Sequence, residues 1–143
     1  MFNLDGQLAS DCIVLGDFKL CTLLLMNDAQ YPWFILVPRR EDTTEIFQLS
    51  AIDRAQLLEE SCLLAEKLKD AFAADKMNIA ALGNVVSQLH VHHVVRYRKD
   101  VAWPAPVWGK LPAVSCTPEL VKERVGRLRA VLTNGFTFAE SCP

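Results

Sequence analysis

All three histidines of this 143-residue chain fall within four positions, in the run Ser87-Gln88-Leu89-His90-Val91-His92-His93-Val94-Val95-Arg96. The apolar residues Leu89, Val91, Val94 and Val95 alternate with polar ones. That is the pattern of a half-buried β-strand, whose successive side chains point to opposite faces. It predicts a strand over 88–97 with Gln88, His90 and His92 on one face and His93 on the other. Two imidazoles at i and i+2 of a stiff strand stand side by side, and each titrates near neutral pH. A single histidine is more often a surface group or a satisfied core residue, but three in one strand and none elsewhere favour a site.

The sequence around this strand predicts an α+β domain. Residues 12–15, a Gly16-Asp17 turn signal and residues 18–26 read as a hairpin, and Trp33-Phe34-Ile35-Leu36-Val37 reads as a third strand stopped by Pro38. Ser50 is a candidate N-cap for a long helix through about Phe72. Ile52, Leu57, Leu64 and Leu68 recur there at helical spacing, with Asp53, Glu59, Glu60, Lys67 and Lys69 on other faces. A strand near 77–82 and the histidine strand complete a mainly antiparallel sheet of about five strands, with helices on one side. Thr117-Pro118-Glu119 matches an N-cap, a proline in the first turn and an acid at the positive helix end, and opens a C-terminal helix running to about Leu132. The length suits one domain over residues 1–143.

A formal net charge of −2 gives no general attraction to nucleic acid or to an anionic membrane, so neither is expected as a partner. Basic residues do gather after the histidine strand: Arg96, Arg98, Lys99, Lys110, Lys122, Arg124, Arg127 and Arg129 face only Asp100, Glu119 and Glu123 over 96–129. A phosphate site suits such a segment, and so do solvated helix faces. The five cysteines are widely spaced and form no C-x-x-C pair, which argues against a disulfide framework or zinc knuckle and for reduced thiols. The first residues carry no basic segment followed by an apolar one, and no apolar run approaches the length of a membrane span. A cytoplasmic location is expected.

Gln88-Leu89-His90-Val91-His92 resembles the motif of the histidine triad (HIT) family, His-φ-His-φ-His with φ apolar, with Gln in the first position. Gly83-Asn84 sits where that family has a Gly-Gln pair. The order of hairpin, Asn27, third strand ending in Val-Pro-Arg, long helix and strand pair is also similar to the HIT fold, over residues 4–97. Residues 98–143 form an extension outside the resemblance. The resemblance is to bacterial-type HIT-like hydrolases. It implies a small-molecule nucleotide substrate, no cofactor and attack by His90 on an α-phosphorus to give a nucleotidyl-His intermediate that water cleaves. His92 is then placed to protonate the leaving group or bind a phosphate oxygen, and Gln88 to orient its neighbour. Gly83 and Asn84 are implied to cradle phosphate, and Asn27, Asn78 and Arg96 to contact the nucleotide. Val85 stands where similar proteins place Ser or Thr near the leaving group.

Similar proteins pair as two-fold dimers. Trp103, Val107 and Trp108, in a proline-rich segment, are candidates for that contact or for packing; His93, opposite the site, is expected to pack or to serve the interface. Two rival readings remain from the residues themselves. One is a nucleotide-binding or sensing protein that has lost turnover through Gln88 and Val85. The other is a metal hydrolase using His90 and His92, which needs a third ligand from elsewhere, so no metal site is expected.

Overall fold

A computed structural model describes residues 1–143. The chain runs α1 (Gly6–Asp11), β1 (Cys12–Asp17), β2 (Cys21–Met26), β3 (Trp33–Pro38), a 3₁₀ turn (Ile46–Gln48), α2 (Ala51–Ala71), β4 (Lys76–Ala80), β5 (Val91–Arg96), α3 (Pro118–Val131) and β6 (Thr137–Phe138). The fold is the expected α+β arrangement, with six strands in the order β4-β5-β3-β2-β1-β6 and every pairing antiparallel. The additions to the expected elements are α1, the 3₁₀ turn and β6, each too short to show a hydrophobic period.

Local chemistry sets the two long helices. Ser50 Oγ accepts the Asp53 N–H to cap α2, and Thr117 Oγ accepts the Leu120 N–H to cap α3 with Pro118 in its first turn. Leu57, Leu64 and Leu68 of α2 and Val121, Val125 and Leu128 of α3 pack on one sheet face against Leu23, Leu25, Phe34, Leu36 and Val95. Two residues of α2 lie opposite to expectation. Ile52 is exposed, whereas Glu60 turns inward and its carboxylate accepts the N–H groups of Leu20 and Cys21 at 2.9 Å each. Those bonds fix the β1–β2 turn, which lies after Gly16-Asp17 rather than on it. Gly16 is part of β1 at an irregularity in its pairing, where a Cβ would meet Thr137 O at 2.2 Å.

The other sheet face is covered too. Leu24, Trp33, Ile35, Val37 and Val94 pack there against Leu8 of α1 and against Ala102 and Val107 of the irregular segment. The helices therefore do not all lie on one side, and β5, expected to be half-buried, is buried at all six positions. It is an interior strand, paired to β3 and β4, with cover on both faces. No helix is long and apolar enough to cross a membrane.

Candidate active site

The alternation of β5 separates its histidines as read from the sequence. His92 lies opposite Ile35 on the face carrying α1 and the irregular segment, and His93 turns toward α2. His90 lies just before β5, which begins at Val91, yet its ring still stands beside His92 with centroids 4.8 Å apart.

Each ring is oriented by a protein partner, and the partner fixes where the proton sits. His90 Nδ1 is 2.7 Å from the carbonyl oxygen of Gln88. A carbonyl only accepts, so Nδ1 carries the proton and Nε2 keeps a bare lone pair. His92 Nδ1 lies 3.0 Å from Trp33 Nε1, and an indole N–H only donates, so here Nδ1 is bare and Nε2 carries the proton of the neutral ring. His93 uses both nitrogens: Nδ1 donates to Val91 O at 3.1 Å and Nε2 accepts from Ser61 Oγ at 2.7 Å. Desolvation holds the two strand histidines neutral. Burial, aided by the neighbouring His90 and His93, lowers His92 to about 3; burial lowers His93 to about 4 against the opposing pull of the Val91 carbonyl.

His90 and His92 line a cleft of about 440 Å³ whose walls include Leu8, Cys12, Met26, Ile35, Val86 and Trp108. The apolar walls suit a planar ring, and the histidines stand as its polar groups. Burial, then Asp11, pushes the Cys12 thiol up to about 12, so it stays protonated and is a wall rather than a nucleophile. Trp33, His92 and Trp108 stack edge to face, with Trp108 5.7 Å from Trp33 and 5.2 Å from His92. The rim is the loop 81–90, where Gly83 adopts φ +81°, a conformation that favours glycine. The main-chain N–H groups of Gly83, Asn84 and Val85 have no acceptor in the protein. Val85 is 93% exposed at this rim. A second hollow, of about 480 Å³, meets the first at Leu82, Gly83 and His90 and is lined by Glu45, Phe47 and Arg54 on its far side.

The sequence-predicted residues are thus only partly brought together. His90, His92, Gly83 and Asn84 border the cleft. Gln88 gives His90 its main-chain carbonyl, but its side chain turns away: Oε1 accepts the Asp5 N–H at 2.8 Å and Nε2 donates to Asn3 O at 2.8 Å. Its expected orienting role thus falls to the backbone. Asn27 Oδ1 accepts the Cys116 N–H at 2.8 Å, joining the end of β2 to the approach of α3, and does not line the cleft.

Arg96 and Asn78 are not there either. The Arg96 guanidinium is 1% exposed, donates to Asp100, Asn78 Oδ1 and Ala105 O, and lies between the Tyr31 and Trp103 rings. Its donors are consumed inside the fold, as are those of Arg124, which bind Asp28 O and Ala29 O. The basic segment is in this part internal packing, not a phosphate surface. Val107 is packed inward, and Trp103, half-buried, lies against the Arg96 guanidinium. Sequence reading missed Trp33, whose indole N–H reaches His92 across a strand pair; only the apolar character of a strand residue was visible there. No group of three or more His, Cys, Asp or Glu side chains is arranged to hold a metal ion.

The chain is similar to known proteins. A family model described as HIT domain matches residues 7–99. The chain is 49% identical to a histidine triad protein from Marinobacter aquaeolei VT8, with a TM-score of 0.90 and coverage of 92% of this chain and 96% of that one. It is 45% identical to a histidine triad protein from Sinorhizobium meliloti 1021 and 42% identical to one from Bradyrhizobium japonicum, each with a TM-score of 0.90, covering 92% of this chain and 98% of that one. No curated protein matches the chain.

Proposed function

The chain belongs to the HIT domain family, whose members are generally nucleotide hydrolases or transferases, and from that premise we propose that it cleaves nucleotides at the α-phosphate through a covalent intermediate on His90. One observation carries the reading: His90 presents a bare Nε2 and His92 a protonated Nε2, side by side at the wall of one cleft. A nucleophile and a hydrogen-bond donor are what displacement at a phosphoryl group needs.

In the first step the Nε2 lone pair of His90 forms a bond to the α-phosphorus, and the P–N or P–O bond to the leaving group breaks. The leaving group departs with the electron pair and takes up a proton from solvent in the open cleft, and the water that attacks in the second step returns one to solvent. The His90 ring gains positive charge, which the Gln88 carbonyl stabilises through Nδ1–H. His92 donates Nε2–H to a non-bridging phosphoryl oxygen; a neutral ring held at so low a titration point suits this role better than that of a general acid. The unpaired N–H groups at Gly83 and Asn84 cradle further phosphoryl oxygens. Water then attacks phosphorus, the P–N bond to His90 breaks, and the nucleoside monophosphate leaves with the ring restored. Residues 98–143 belong to the same unit on this reading, since Trp108 walls the cleft and Arg124 ties α3 to the β2–β3 turn. The protein is proposed to pair as a homodimer; light scattering at micromolar concentration tests this. Exposed apolar groups remain for that contact on the edge strand β4, at Ile79, and on α2, at Ile52 and Leu58.

The substrates to offer are a nucleoside phosphoramidate, a dinucleoside polyphosphate and a nucleotidyl ester or amide. Release of AMP from adenosine phosphoramidate, diadenosine tetraphosphate or adenylylated lysine is expected, and no release from any of them contradicts the reading. Val85, an exposed apolar group at the rim where similar proteins carry a hydroxyl, favours a second reading, a nucleotide-binding protein that turns over slowly. Labelling of His90 without product release supports that second reading.

A further inference from the structure

His92 would be a different chemical object without its neighbour on β3. A neutral imidazole exchanges its proton between the two nitrogens, and either nitrogen can face a ligand as donor or acceptor. Trp33 removes that choice. It pairs with Val94 across β3 and β5, its side chain shares the His92 face, and its Nε1 approaches His92 Nδ1 at 3.0 Å. An indole has one N–H and no acceptor, so this contact exists only with Nδ1 unprotonated. Trp33 is itself buried, and Tyr31 and Trp108 pack against its ring edge to face, so the indole has little freedom to rotate away. Protonating His92 at Nδ1 would set two donors against each other in a desolvated site.

From this geometry we infer that Trp33 is a positioning residue that locks His92 as the Nε2–H tautomer, so that the cleft always meets a neutral hydrogen-bond donor at that ring. The inference deepens the hydrolase reading and rests on it for the use made of the donor, but the tautomer itself is a property of the free protein. The carbonyl of Gln88 imposes the opposite choice on His90, so two like side chains are sorted into acceptor and donor by partners that each have only one hydrogen-bonding sense. His92 also stays uncharged as pH falls, consistent with the low titration point that burial gives it.

The test is long-range ¹H–¹⁵N correlation of the histidine rings in uniformly ¹⁵N-labelled full-length protein, with Trp33→Phe beside the wild type. The wild type is expected to show His92 protonated at Nε2 and bare at Nδ1 at pH 7, with no change down to about pH 4. Trp33→Phe keeps the aromatic packing and deletes the donor. Its His92 should populate both tautomers and titrate at higher pH, with kcat lower by about tenfold, the equivalent of one buried hydrogen bond, and KM changed less. His92→Gln should lose less turnover than His92→Ala, because an amide oxygen can accept from Trp33 while the NH₂ group donates to the cleft. A wild-type His92 protonated at Nδ1, or an unchanged tautomer in Trp33→Phe, overturns the inference whatever the turnover. The wild-type spectrum alone decides it if Trp33→Phe fails to fold. The predicted tautomer in a protein that cleaves none of the three substrates instead overturns the hydrolase reading and leaves the lock standing.

Discussion

The two faces of β5 treat imidazole differently. On the helix face His93 is fully buried and has spent both ring nitrogens on the protein, one on the Val91 carbonyl and one on the Ser61 hydroxyl. On the cleft face His90 and His92 have each spent Nδ1 and kept Nε2 without a protein partner. Burial does not separate the two kinds of histidine, since all three are hidden from solvent. The difference lies in uncommitted ring nitrogens: a histidine with none is a structural cross-link, and one with a free nitrogen facing a cleft is a candidate reagent.

Substitutions can break that division. The largest effect is expected at His90: His90→Ala should lower AMP release by about 10³-fold or more while circular dichroism and the melting temperature stay close to wild type. The neighbours should then part company. His92→Ala should cost about 10²- to 10³-fold in turnover, the loss of one donor to the phosphoryl oxygen. His93→Ala should leave turnover per folded molecule within a few-fold but cost roughly 2–4 kcal/mol in denaturant unfolding, from the cavity and the stranded Ser61 hydroxyl. A His93→Ala protein that is stable yet inactive would erase the distinction and move His93 into the site.

Acid sharpens the comparison from the other side. The folded-state values of His92 and His93, about 3 and about 4, lie below the ordinary 6.5. The unfolded chain therefore takes up protons first as pH falls. Stability from these two groups is fully present above pH 6.5 and drains as pH falls to about 4 for His93 and to about 3 for His92, by roughly 3 and roughly 5 kcal/mol. Urea titrations across that window should show the slope, and His93→Gln should make it shallower. The smallest effect is expected at Gln88. Gln88→Ala removes the two bonds to Asn3 and Asp5, so residues 1–5 should become more open to protease while turnover stays within a few-fold, because the carbonyl that orients His90 belongs to the main chain.

What the sequence disclosed follows the same division between local and non-local causes. Ser50, Thr117 and Pro118 mark both long helices because a cap acts within one turn, and the split of His92 from His93 follows from strand alternation alone. The donors that orient the rings were not visible, because Trp33 and Ser61 reach β5 from 59 and 32 residues away. Non-local partners also explain why Arg96 and Asn78 were misplaced. The residues that absorb the Arg96 guanidinium, Asp100 and Ala105, sit in an irregular segment whose path has no periodic signature. Glu60, expected on a face other than the apolar one, turns inward for the same reason: two N–H groups at the β1–β2 turn, 40 and 39 residues away, lie opposite it.

The central claim is that, of three clustered histidines, the one with a bare outward nitrogen beside a neutral donor is the nucleophile. Single-turnover incubation of the wild type with adenosine phosphoramidate carrying α-³²P, quenched in alkali and mapped by peptide mass spectrometry, tests it most directly. The account predicts one adenylyl group on His90 and none on His92 or His93. An adenylyl group on either of those two, or turnover with no covalent label at His90, would contradict it.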